Sequence, residues 1–139
     1  MLSNNLNTNE IKNAAGVEVE FQHLSTEGRT RLFAQINESP SLQHRLKISH
    51  IESGSGIKLV RRSMHRFDKT VVSTVDLVTP VTISVYTVAV FPVGALLVGT
   101  EMANVIAENM SFHASLGATT TILYDCTGNG AASLLNGSL

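Results

Sequence analysis

Along RLKISHIE, residues 45–52, apolar and polar side chains alternate, with Leu46 and Ile48 on one side and Arg45, Lys47 and Ser49 on the other. A period of two predicts a strand with one buried face. The turn SGSG, 53–56, leads into IKLVRRSMHR, 57–66, and two β-rich runs joined by a short Gly/Ser loop predict a hairpin. In the second run either Ile57 and Leu59 or Val60 and Met64 face the core. Burying Ile57 and Leu59 is favoured, which puts Lys58, Val60, Arg62 and Arg66 beside Arg45 and Lys47. Residues 67–80 read as strand continuation, a protruding loop, or both. Thr82–Phe91 is a further strand, with Ile83, Val85, Ala89 and Phe91 on one side and Thr82, Ser84 and Tyr86 on the other.

Earlier in the chain, residues 1–10 read as frayed or as a weak first strand. Val17–Phe21 alternates as a half-buried strand, LSTEGRT as a turn, Arg31–Ile36 as a short strand and NESPS as a loop. After Pro92 the spacing becomes helical. Leu96, Leu97, Met102, Ala103, Val105, Ile106 and Met110 predict a helix from Val93 to about Leu116, with Gly117 as its C-cap. The tail holds a short apolar piece, a TGNG turn and one helical turn at Ala131–Leu135. Closely joined strands followed by a helix predict an α+β fold with an antiparallel sheet of about five strands, since parallel crossovers need a dozen or more residues each. One such helix cannot cover that sheet, and a second copy of the chain could.

A length of 139 residues predicts a single domain, 1–139. Within it, 1–24 forms an N-terminal strand pair, 29–91 the sheet, 93–116 the helix and 117–139 the tail. Hydrophobic content of 43% against 15% charged suggests a surface that seeks partners. The longest apolar run, Val88–Val98, contains Pro92 and Gly94 and is far short of the ~20 residues needed to span a bilayer. The first ten residues lack the pattern of a signal peptide. The expectation is a soluble, cytosolic chain with no membrane partner.

The net charge of −1 hides an asymmetry. Seven of the ten basic residues lie between Arg45 and Lys69, opposed there only by Glu52 and Asp68, for a local balance of +5. Such a stripe marks either a nucleic-acid surface or a solvated hairpin.

No pattern of chemistry accompanies it. SGSG joins two strands, so a turn explains it better than a phosphate loop. There is no GxSxG, CxxC or HExxH. The histidines, His23, His44, His50, His65 and His113, are scattered; His50 and His65 could approach across the hairpin, but a metal site needs a third ligand. Cys126 has no partner for a disulfide or for catalysis. DCTGNG lacks the acidic twelfth position of a calcium loop. No catalytic residue, metal or cofactor is expected, and the chain reads as not an enzyme.

The order of elements is informative: LFAQINESPS, then HRLKISHIE, IKLVRRSMHR, a loop, TISVYTVAVF and VGALLVGTEMANVIAEN. It resembles the coat proteins of single-stranded RNA bacteriophages of the levivirus-like group, over roughly Val17–Met110. The resemblance implies a five-stranded sheet joined edge to edge with its twin, and a C-terminal helix crossing onto the partner's sheet in an intertwined homodimer. It implies a T=3 icosahedral shell in the virion, assembled in the bacterial host cytoplasm around single-stranded viral RNA. It also implies binding of an RNA hairpin that represses translation. By position, the RNA-facing residues would be Arg45, Lys47, Ser49, Lys58, Arg62, Thr82, Ser84 and Tyr86, with Tyr86 stacking on a base. Leu97, Met102 and Ile106 would lie at the dimer interface. A stand-alone dimeric RNA-binding regulator that forms no shell, and a small enzyme with a pocket between sheet and helix, are the competing readings.

Overall fold

A computed structural model describes residues 2–118 and 121–137, so part of the expected tail, 117–139, lies outside the described residues. The fold is α+β, as the sequence predicts. The strands are β1 (Asn5–Leu6), β2 (Phe21–Glu27), β3 (Thr30–Gln35), β4 (His44–Ser53), β5 (Val60–Val72) and β6 (Pro80–Phe91), followed by helices α1 (Thr100–Ala114) and α2 (Asn129–Asn136). The strands form one antiparallel sheet in sequence order. It has six strands where about five were expected, because the N-terminal Asn5–Leu6 also pairs.

The chain clusters into two compact units. One is Met1–Asn9 with Glu20–Leu97; the other is Glu10–Val19 with Val98–Leu139.

In the first unit, register sorts the side chains, since residues opposed across an antiparallel pair share a face. Leu46 opposes Phe33 and Phe67, and Phe67 opposes Val85. Phe21 and Phe33 are fully buried there with Leu6, Leu46 and Ile48. Phe21 meets His44 edge-on at 5.0 Å and Phe67 at 6.0 Å. Each buried Phe or Leu stabilises by roughly 1.5–3 kcal/mol. This is the aromatic face. The opposite, basic face carries Arg45, Lys47, Arg62 and Arg66.

Several elements differ from expectation. Of the alternation at Val17–Phe21 only Phe21 joins the sheet, as the first residue of β2. Asn13 Oδ1 accepts from the Ala15 and Val17 amides, closing a turn there, and an isolated antiparallel backbone bridge joins residues Lys12 and Glu18. The LSTEGRT segment is mostly strand, with a register shift between His23 and Ser25 and a tight turn at Gly28–Arg29. β5 starts later than expected, because Gly56–Lys58 forms a single 3-10 turn. Ile57 is therefore exposed rather than buried. Residues 67–80 are both strand and loop: β5 runs to Val72, and 73–79 project.

The helix begins at Thr100, not near Val93. Residues 92–96 turn instead: Pro92 O accepts from the Ala95 and Leu96 amides, and the Gly94 amide donates to Leu59 O at 2.9 Å. A Cβ on Gly94 would stand 2.0 Å from Gly56 O, so only glycine permits this approach. In the second unit, α2 packs on the end of α1, where a Cβ on Gly130 would meet the Phe112 ring at 2.5 Å. The Leu123 amide donates to Ala114 O, and Ser115 bridges Ile122. α2 extends the single turn expected at Ala131–Leu135. Among the described residues no helix is long and apolar enough to cross a membrane.

Candidate nucleic-acid interface

Strand alternation places the basic face. On β4 it presents Arg45, Lys47, Ser49 and Ile51; on β5, Val60, Arg62, Met64, Arg66, Asp68 and Thr70; on β6, Thr82, Ser84, Tyr86, Val88 and Val90. Of the residues expected on an RNA surface, Arg45, Lys47, Ser49, Arg62, Thr82, Ser84 and Tyr86 share this face. Lys58 does not: it stands in the 3-10 turn before β5, off the strands.

The cations differ in state. Arg45 is tied to the Glu38 carboxylate at 2.6 Å, and both are largely buried; among the described residues its Nε has no hydrogen-bond partner. The same carboxylate accepts from the His44 amide at 2.9 Å. Lys47 and Arg62 are exposed, and among the described residues neither makes an ion pair. Ser49 is buried by its neighbours. Thr70 and Thr82 share a hydrogen bond of 2.9 Å across β5 and β6.

One polar cluster stands out. Arg66 Nε donates to Asp68 at 2.9 Å, and the Ser84 hydroxyl donates to the same carboxylate. The Arg66 guanidinium lies 5.9 Å from the centre of the Tyr86 ring, and Tyr86 is 61% exposed. Partial burial would raise the Asp68 pKa, but the Ser84 hydroxyl, the Arg66 guanidinium and nearby Lys47 outweigh it and hold the carboxyl below its ordinary value. Asp68 thus stays a charged acceptor within the basic face. The sequence reading put Arg66 on this side without making it a site residue, and passed over Asp68. The signal was present: the alternation Arg62, Met64, Arg66, Asp68 continues through Phe67 once β5 is taken to Val72.

The aromatic face has a hollow of about 680 Å³ bordered by Arg29, Arg31, His50 and His65. Three of these four residues are engaged in structure. Arg31 donates to Leu2 O and Asn4 Oδ1, Arg29 pairs with Glu52, and His50 Nδ1 shares a 2.8 Å hydrogen bond with Ser63 Oγ. Among the described residues no three histidine, cysteine or acidic side chains converge on a metal position.

The expected interface residues lie in both units. Leu97 precedes the helix rather than lying on it and is 95% exposed. Met102 and Ile106 lie one turn apart on α1, half-buried and exposed respectively, in a stripe with the exposed Val105 and Met110. Tyr86, Val88 and Val90 on one side of β6, and Val81, Ile83 and Val85 on the other, are also exposed. β6 ends the strand order, so its outer edge has no partner among the described residues.

A six-stranded antiparallel meander followed by two helices is a fold of the phage coat-protein kind. Solved chains that share it include the bacteriophage EMS014 coat protein (11% identity, TM-score 0.64, 87% of each chain covered) and the virus-like particle of Beihai levi-like virus 32 (22%, 0.56, 68% of this chain and 75% of that one). The virus-like particle of bacteriophage AVE015 matches over 100% of this chain and 96% of its own, at 15% identity and a TM-score of 0.56. No family model and no curated protein matches the sequence. The resemblance read from element order therefore holds at the level of the fold.

Proposed function

We propose that this chain is a coat protein that assembles through homodimers into an icosahedral shell around single-stranded RNA. The role is structural rather than enzymatic, and its place is the virion. The carrying observation is β6: twelve residues, with no partner on its outer edge among the described residues and exposed apolar side chains on both faces. A long apolar edge is an aggregation hazard unless a partner covers it. Pairing with a second β6 would satisfy its backbone groups and extend the sheet across a two-fold axis. The exposed stripe of α1 would then find cover on the partner's sheet. The basic face, doubled by that axis, would turn toward RNA, with Lys47 and Arg62 as its exposed cations.

A dimeric RNA-binding regulator without a shell is the second reading. The projecting loop 73–79 favours the shell, because its exposed Val75, Leu77 and Val78 suit contacts between dimers. Size-exclusion chromatography and negative-stain imaging of the purified chain test the proposal. Uniform particles containing RNA are expected. Discrete dimers that never form particles at any salt or RNA concentration support the regulator, and a stable monomer at micromolar concentration overturns both.

A further inference from the structure

We infer that Arg66, buttressed by Asp68 and Ser84, reads an unpaired guanine stacked at Tyr86. This rests on the RNA-facing reading of the basic face and adds a base preference to it.

The argument begins with how Arg66 is held. Its Nε, not its terminal nitrogens, makes the 2.9 Å bond to Asp68. Nη2 reaches Ser84 Oγ only at 3.5 Å, and among the described residues Nη1 makes no hydrogen bond. A guanidinium anchored through Nε keeps the fork of its terminal nitrogens for a ligand. The Tyr86 ring on one side and the carboxylate on the other restrict its rotation. Less rotamer freedom is therefore lost when the fork engages a ligand.

The fork matches two parallel acceptors. On a base, the edge that offers them is guanine O6 and N7. Adenine places an amino donor where guanine has O6, so it would meet the guanidinium donor to donor. Phosphate also fits a guanidinium, but Asp68 sits beside Arg66 and repels it. The exposed Tyr86 supplies what phosphate does not need, a flat surface on which a base can stack. Lys47 and Arg62 make no ion pair among the described residues, although Lys47 lies close enough to Asp68 to feel its charge, and they suit the backbone better. Phosphate positioning and base reading thus fall to different residues of one face. Asp68 acts through Arg66 and is a positioning residue.

The probe is a short RNA hairpin with one unpaired loop nucleotide, bound to the full-length chain as dimers at fixed salt. The nucleotide is guanine, inosine, 7-deazaguanine or adenine. Inosine keeps O6 and N7, 7-deazaguanine lacks N7, and adenine lacks O6. The wild type should bind the guanine and inosine loops about tenfold more tightly than the other two. Arg66→Lys should keep general RNA affinity and lose the preference. Asp68→Asn should also lose the preference while binding all loops at least as well, because a repelling charge is gone. A merely structural role for Asp68 would weaken all four loops alike, and that result overturns the buttress. Equal wild-type binding of all four loops, or a preference that survives both variants, overturns the inference and leaves the RNA reading intact. A chain that binds no RNA overturns both.

Discussion

His44 lies edge-on to Phe21 at the end of β4, and its setting has a consequence for acid stability. Burial lowers its pKa, Lys69 lowers it further, and Glu38 opposes them without reversing the direction. His65 is also shifted down, by burial and then by His50. A base whose folded pKa is depressed binds its proton more readily when unfolded. The stabilisation is therefore complete above the ordinary histidine value of about 6.5 and is lost as pH falls through the lower, folded value. Urea midpoints should decline as pH is taken below about 6.5. His44→Phe keeps a ring against Phe21 and cannot titrate, so its midpoint should fall less steeply. Parallel pH profiles for variant and wild type would remove His44 from the account.

The junction between β6 and α1 separates what the sequence made legible from what it did not. The alternation of Thr82–Phe91 set both faces of β6 correctly, because a period of two is local and follows from the strand backbone alone. The same logic placed Arg45, Lys47 and Ser49 together. The helix start was not legible, since Leu96 and Leu97 continue the helical spacing. What stops the helix is not local: Gly94 is pinned against the 3-10 turn at Gly56–Lys58, distant in sequence. That turn also removed Lys58 from the basic face. The Arg45–Glu38 pair escaped notice for a similar reason, because a loop residue reaches back onto a strand. Two glycines test the junction. Gly94→Ala drives a Cβ toward a backbone carbonyl and should cost about 1–3 kcal/mol. A Cβ on Gly99 meets only the end of Met102, at 3.6 Å, and that substitution should stay within about 0.5 kcal/mol of neutral. Denaturant midpoints of the two variants make the comparison, and equal effects would mean that the close approach at Gly94 is absent in solution.

At the scale of the whole molecule, the proposed shell requires contacts that a single dimer does not use, and the loop between β5 and β6 is built to offer them. Its tip exposes Val75 at 94%, Leu77 at 74% and Val78 at 78%. The tip is nonetheless ordered. The Asp76 carboxylate accepts from the Val78 and Thr79 amides and from the Thr79 hydroxyl, and these bonds hold it well below the usual carboxylate range. Leu77 adopts φ +59°, a left-handed conformation that costs a residue with a side chain of this kind roughly 1–2 kcal/mol. Backbone strain of this kind persists where it serves a function, and a contact between dimers of the proposed shell would be one. Asparagine tolerates the same backbone and removes the apolar side chain. Leu77→Asn should therefore leave the dimer at least as stable as the wild type in urea, while reducing particle yield severalfold by light scattering and negative-stain imaging. Opposite movement of the two readouts is the signature of an assembly contact. If Leu77→Asn particles form with normal yield, the tip makes no contact between dimers; if the dimer itself loses stability, Leu77 packs within the dimer instead.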